Sequence, residues 1–424
     1  MRVLIVNTSE NVGGAAVAAN RLMETLNNNG VKAEMLVRDK QTDNITVAAL
    51  PQSWRLRWNF LWERFVIFCH LRFRRTNLFQ IDIANAGTDI TKTREFQEAD
   101  VIHLSWINQG MLSLKDIRKI IDSHKPVVWT MHDLWPASSI CHYARSCHGF
   151  EKQCGNCPLL PNNGSRNDLS ARVWKRKKAA YGKSSILFVT CSKWLSGQAK
   201  KSGLLTGLKV MNIPNPIDTH VFCKTPRAEA RLAVGLPQDK QLILFVSQRV
   251  TDKRKGMDYF IAAINKLISD RPELKETTGI AILGGHADEL AAQLPLPSYP
   301  IGYISDEKKI AAVYNSVDMF VLPSLEDNLP NTIMEAMACG VPCVGFNTGG
   351  IPEMIDHQRN GYVAEYKNVD DLTQGMAWIL LEADRDALSS EALRKVNTTY
   401  SQHAVAMKYI EAYNQAMALK RYKL

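Results

Sequence analysis

Two runs of short apolar strands alternating with helical segments, parted by Pro214-Asn215-Pro216, constrain this chain more than any other feature. Such alternation encodes a parallel sheet with helices on both faces, because each crossover helix covers one side. In the first run strands are predicted over residues 3–8, 33–38, 101–106, 127–131, 186–191 and 210–213. A helix over 15–28 follows the first strand and is stopped by Gly30. The two prolines then disfavour helix, which places a linker there. Beyond it strands are predicted over 242–247, 280–283, 319–323 and 343–346, with helices over 257–268, 307–315 and 331–339. A helix-like segment closes the chain over 401–424. The expected fold is α/β, two doubly wound domains over 1–214 and 215–400. Facing each other, they would leave a central cleft at the carboxyl ends of both sheets, where such sheets bind ligands. A length of 424 residues suits two cores better than one.

Composition narrows the class further. With 46% hydrophobic and 22% charged residues the chain reads as globular. No stretch approaches the roughly 20 apolar residues that span a bilayer, and the opening MRVLIVNTSE has too short an apolar run for an export signal. The expected location is therefore cytoplasmic, with room for a peripheral position on the inner face of the cell membrane. Residues 1–214 hold 30 basic and 16 acidic side chains, a net +14, against a net −4 for the rest. A basic first half suits an anionic partner: nucleic acid, anionic lipid or a diphosphate-carrying acceptor. Plain solubility charge is the alternative.

The most informative stretch runs Asp327-Asn328-Leu329-Pro330-Asn331-Thr332-Ile333-Met334-Glu335, a strand end passing through a polar loop into a helix. Unsatisfied N–H groups at a helix start favour phosphate, and Glu335, one turn in, suits a pair of ribose hydroxyls. A capped helix with a surface carboxylate is the plainer reading. Arg249 and Lys255 follow the strand over 242–247 in SQRVTDKRKG. Two cations past a strand end suit a diphosphate, Arg as a fork and Lys as a point charge; a solvated basic turn is the alternative.

Taken together, R-x5-K-G, an acidic-x7-Glu segment with NLPNTIMEAMACGVP, and Gly349-Gly350-Ile351-Pro352-Glu353 resemble the nucleotide-sugar domain of the retaining glycosyltransferases of family 4. The Gly13-Gly14 loop, the strand end Met131-His132-Asp133 and the IPNPID segment are similar to the same family. The family departs from this chain at one place: it usually carries Glu at both ends of its E-x7-E pair, whereas Asp327, preceded by Glu326, stands first here. Which of the two meets the sugar stays open. The resemblance implies two Rossmann-like domains of the GT-B type, the first binding acceptor and the second nucleotide sugar, with the helix over 401–424 packing back on the first. It implies catalytic roles for His132, Arg249, Lys255 and Asp327, and donor binding by Gly13, Gly14, Asn328, Leu329, Asn331, Thr332 and Glu335. It also implies a retaining transfer without a catalytic metal, onto a glycan or lipid-linked acceptor of the kind used in polysaccharide biosynthesis. Asp133 is expected only to orient His132.

Two features lie outside that pattern. From Trp54 to Arg75 the chain reads WRLRWNFLWERFVIFCHLRFRR, with six Arg, one Glu and seven aromatic residues. Basic, aromatic-rich helices lie in membrane interfaces and are drawn to anionic lipid. On a helical wheel, however, the Arg residues do not collect on one side, which leaves a partly buried helix open. The run WKRKK at 174–178 is read as adding to the same surface. Cys141, Cys147, Cys154 and Cys157 form C-x5-C-x6-C-x2-C, a spacing that suits a structural zinc site in a reducing compartment; unligated thiols or a redox pair are the alternatives.

Two other functions compete. A nucleotide-sugar epimerase would share the diphosphate site, yet the basic aromatic segment serves it no purpose. A nucleic-acid-binding protein would use the basic half, but no nucleic-acid motif is present, so nucleic acid is not expected as a partner.

Overall fold

A computed structural model describes residues 1–51, 53–182, 184–249 and 252–421, with only the backbone given for Arg249, Lys420 and Arg421. The chain divides into two units, Met1–Pro214 with Val405–Leu424, and Asn215–Ala404.

The first unit is built on seven parallel strands: β1 (Arg2–Ser9), β2 (Lys32–Asp39), β3 (Val47–Ala49), β4 (Val101–Leu104), β5 (Val127–Met131), β6 (Leu187–Thr190) and β7 (Lys209–Asn212). Their spatial order is β3-β2-β1-β4-β5-β6-β7. Period-two alternation splits the core into two layers. Leu4 and Val6 join Ile102, Leu104 and Trp129 on one face, whereas Val3 and Ile5 join Val101, Val128 and Leu187 on the other. Helix Gln402–Arg421 covers the second face through Val405, Tyr409, Ala412, Tyr413 and Ala416. Two buried hydroxyls fix its register. Tyr413 OH lies 2.7 Å from His103 Nδ1, and Tyr409 OH 3.0 Å from Thr130 Oγ1, which in turn lies 2.8 Å from His103 Nε2. Each buried tyrosine contributes roughly 2 kcal/mol of apolar burial, and these bonds keep its hydroxyl from being buried unpaired.

The second unit carries β8 (Gln241–Arg249), β9 (Thr278–Gly285), β10 (Ser298–Gly302), β11 (Met319–Leu322), β12 (Cys343–Phe346) and β13 (Gly361–Ala364), in the order β10-β9-β8-β11-β12-β13. Every pairing in both sheets is parallel. Strands β3, β10 and β13 were not predicted. Each stands at a sheet edge, where strands are short; β10 contains Pro300 and β13 opens on Gly361, residues that hide a strand pattern. Among the described residues no helix is long and apolar enough to cross a membrane.

Candidate functional site

In the second unit the strand order reverses between β8 and β11, so the loops leaving those strands open side by side. One carries Lys255 and the other Asp327. Lys255 Nζ donates to Asp327 Oδ2 at 2.6 Å, and Ser324 Oγ reaches the same oxygen at 3.4 Å. The pair is largely shielded, with side-chain exposures of 19% and 12%. Two glycines permit this approach. Gly256, at φ +77°, leaves no room for a side chain, since a Cβ would lie 1.9 Å from the Pro323 carbonyl oxygen. Gly349, at φ +57°, is tighter still, with a Cβ 1.6 Å from the carbonyl oxygen of Asp327. Gly350 N–H donates to that same carbonyl at 3.3 Å. Only glycine combines this conformation with this closeness.

Glu326 and Asp327 differ in their contacts. Asp327 is buried and paired with Lys255, while the backbone carbonyl of Glu326 accepts from Arg254 Nη1 at 3.3 Å. Past them Asn328 and Leu329 are buried, and helix Asn331–Ala338 begins at Pro330 without a side-chain cap. Asn331 Oδ1 accepts from Asn215 Nδ2 at 3.1 Å. Thr332 Oγ1 is buried with no hydrogen-bond partner among the described residues, an orphan of the kind that a ligand oxygen satisfies. One turn on, Glu335 Oε2 accepts from Tyr314 OH at 3.0 Å. Burial, with Glu335 beside it, pushes the Tyr314 phenol well above its ordinary pKa, so it stays a donor. Sequence reasoning missed Tyr314, because nothing local marks a tyrosine 21 residues upstream as a partner. Arg249 ends β8 opposite Gly285; its side chain lies outside the described residues, as do Val250 and Thr251.

What this end of the sheet offers is a cation, an uncapped helix start and two buried carboxylates. The first two attract phosphate, and carboxylates accept from sugar hydroxyls.

The first unit reverses its strand order between β1 and β4. There a concavity of about 500 Å³ is lined by Asn7, Gly13, Gly14, Arg38 and Trp106, among others. Gly13 has φ +92° and open space where a Cβ would stand, and Gly14 starts helix Gly14–Asn28. Buried Glu10 shapes the rim by accepting from the Gln41 and Thr42 backbone N–H groups at 2.6 and 2.9 Å. His132 follows β5; its Nε2 lies 2.9 Å from Ser105 Oγ and its Nδ1 3.6 Å from Cys191 Sγ. Burial pushes its pKa down to about 4, against a partial offset from Asp133, so the ring is neutral at pH 7.

Asp133, expected only to orient His132, is engaged by three other groups. It accepts from Trp106 Nε1 at 3.0 Å and Trp135 N at 2.8 Å, and lies 2.7 Å from His142 Nδ1. His142 Nε2 lies 2.6 Å from Asp82 Oδ2, and Asp82 is also bonded by Arg64. Burial raises the Asp133 carboxyl, but His142 and the two N–H donors outweigh it and hold the group below its usual range. A buried chain thus runs from Arg64 through Asp82 and His142 to Asp133. No spacing in the sequence announces it.

The four cysteines are free and line one cavity of about 20 Å³, with room for roughly one water. Burial raises the Cys141 thiol and pushes Cys154 and Cys157 up to about 12; these are neutral thiols at pH 7. Among the described residues no group of three or more His, Cys, Asp or Glu side chains is arranged to hold a metal ion. The WKRKK run also divides: Lys175 and Arg176 are exposed, whereas Lys177 is fully buried and donates to the carbonyls of Trp135 and Ser138 at 2.5 and 3.1 Å.

Residues 240–382 match the family of glycosyl transferases group 1. The D-inositol 3-phosphate glycosyltransferase of Thermobispora bispora is 26% identical over 49% of this chain and 51% of its own length. The N-acetyl-alpha-D-glucosaminyl L-malate synthase of Bacillus anthracis is 26% identical over 37% and 40%. The chain thus spans about half the length, or less, of these curated relatives. Among solved structures, sucrose-phosphate synthase from Thermosynechococcus elongatus superposes with a TM-score of 0.67 at 15% identity, covering 99% of both chains. Anabaena HepE in complex with UDP and glucose gives 0.62 at 15%, covering 98% of this chain and 100% of that one. The fold is GT-B.

Proposed function

We propose that this chain, a member of the group 1 glycosyl transferases through its second unit, moves a sugar from a nucleotide donor onto a glycan, lipid-linked in its natural setting. The meeting of Lys255 and Asp327 at the strand-order switch, beside an uncapped helix start, carries this reading. The donor diphosphate takes Lys255 and the backbone N–H groups of Asn331 and Thr332, with Arg249 as a second cation. Asn328 and Leu329 shape the pocket, and Glu335, held by Tyr314, takes the ribose. A diphosphate brings two negative charges against the single one of Asp327, so Lys255 exchanges partners and Asp327 is released toward sugar hydroxyls.

Bond cleavage at the anomeric carbon leaves positive charge on the sugar and negative charge on the departing phosphate. Lys255 and the helix start stand where that negative charge grows, which is the largest expected catalytic term. The acceptor hydroxyl attacks from the same face, its oxygen bonding to carbon as the carbon–phosphate oxygen bond breaks. Its proton passes to the leaving phosphate, and configuration is retained. In the first unit His132 is neutral, and Gly13 and Gly14 keep that unit's own concavity open. No step requires a metal.

Incubation with labelled UDP-, GDP- and ADP-sugars and a lipid-linked glycan extract tests this. Label is expected in the glycan, at an initial rate unchanged by EDTA. An isomerised donor, or none consumed, would overturn the assignment.

A further inference from the structure

The segment that obscured its own sequence pattern is an inside-out helix. In Trp54–His70 the inward residues are Leu56, Glu63, Arg64 and Ile67. Glu63 is fully buried and accepts from the backbone N–H groups of Ile83 and Ala84 at 2.9 and 2.7 Å. Arg64 donates to the carbonyls of Leu78 and Ile81 at 2.7 and 3.2 Å and to Asp82. These bonds fix the rotation of the helix, because turning Glu63 and Arg64 outward would strip partners from a buried network.

The opposite face consequently holds Trp54, Trp58, Leu61, Trp62 and Phe65, spaced i, i+4, i+7, i+8 and i+11 and 42% to 72% exposed. The rings touch one another: Trp58 and Trp62 stack at 6.2 Å, and Phe65 lies 5.9 Å from Trp62. Exposed Phe73 and Phe79 extend the apolar surface, the former against Phe68 at 5.5 Å and the latter under Arg64 at 5.6 Å. A continuous aromatic surface of this kind marks an interaction site, where scattered apolar residues do not.

Charge selects the occupant. Arg55, Arg57, Arg72, Arg74 and Arg75 are all exposed, and Glu63, the sole carboxylate between residues 54 and 80, is buried. A second copy docking through the same face would set five Arg against five Arg. Tryptophan rings with a bordering guanidinium fringe suit the headgroup layer of an anionic bilayer, where the ring is half solvated and Arg meets phosphate.

We propose that the face formed by Trp54, Trp58, Leu61, Trp62 and Phe65 docks this protein on an anionic membrane surface. The helix, about 25 Å long, lies in the plane of the interface with its rings among the headgroups. The idea takes its purpose from the proposed lipid-linked acceptor, but its test does not depend on transfer activity.

The full chain is mixed with vesicles of phosphatidylcholine alone or of equimolar phosphatidylcholine and phosphatidylglycerol, and sedimentation and tryptophan emission are read. Binding and a blue shift are expected with the anionic vesicles only, weakening as salt rises. The Trp58→Ala/Trp62→Ala variant should lose most of both signals. The Arg72→Gln/Arg74→Gln/Arg75→Gln variant should bind about 100-fold more weakly, from roughly fivefold per Arg near such a surface. All the substituted side chains are exposed, so circular dichroism should match the parent, and transfer to a soluble acceptor analogue reports separately on the enzyme reading. Absent binding to anionic vesicles, equal binding by the variants, or a dimer in sedimentation that Trp58→Ala/Trp62→Ala dissolves would each overturn the proposal.

Discussion

The two units place a ligand-ready end at the same topological position and furnish it in opposite ways. At the β8/β11 reversal the second unit sets a charged pair, Lys255 and Asp327, clamped by Gly256 and Gly349. At the β1/β4 reversal the first unit sets a concavity; beyond the next strand stands the neutral His132, and the charges nearby are paired among themselves, Arg38 with Asp39 and the rest in the chain Arg64–Asp82–His142–Asp133. In the second unit charge is presented at the site; in the first it is spent on holding the site's walls. A shared fold therefore fixes where a site lies, while side chains decide what it does.

Several changes should break or sharpen that contrast. Lys255→Ala is expected to cost about 3 kcal/mol of transition-state stabilisation, slowing turnover by roughly two orders of magnitude and outweighing the smaller stability loss of leaving the shielded Asp327 without its partner. His142→Ala should do the reverse. It leaves Asp82 and Asp133 each short of a buried partner and costs about 3 kcal/mol of stability in urea unfolding. If instead turnover collapsed at unchanged stability, the chain of charges would belong to the chemistry.

Acid should strike the first unit before the second. His103 and His132 are pushed by burial to about 3 and about 4 from an ordinary 6.5. The unfolded chain thus binds more protons between those values, and the stability held by the neutral rings is complete above about pH 6.5 and lost as pH falls through 4. At about 1.4 kcal/mol per pH unit for each ring, a loss of roughly 5 kcal/mol between pH 6.5 and 4 is expected, and His103→Gln should flatten the slope of urea midpoint against pH. The smallest effect belongs to Glu335→Gln, which keeps an acceptor for Tyr314 but removes the charge. Steady-state kinetics should show KM for the donor rising about tenfold, roughly 1.4 kcal/mol, with turnover nearly constant.

Much of the second unit was legible in its sequence because its site is local. Asp327 to Glu335 lies within one loop and one helix, and helix Glu307–Asn315 and strand Cys343–Phe346 were predicted to the residue. The first unit resisted because its contacts are distant. His142 joins Asp82 across 60 residues, and Tyr413 reaches His103 across 310. Buried charge misled twice: Lys177 and Arg64 look like surface residues in any composition count, yet both lie inside, bonded to backbone carbonyls. The cysteine spacing was local as well, and the fold brings all four thiols to one small cavity.

Sequence alone determined the alternation of strands and helices, the break at Pro214-Asn215-Pro216, and the order of cations, carboxylates and glycines along the second unit, since these depend on neighbours within a few residues. Tertiary structure alone decided which side of the helix Trp54–His70 faces water and which of Glu326 and Asp327 meets Lys255. Both outcomes turn on where a buried charge finds its partner, and that partner sits on another element of the fold.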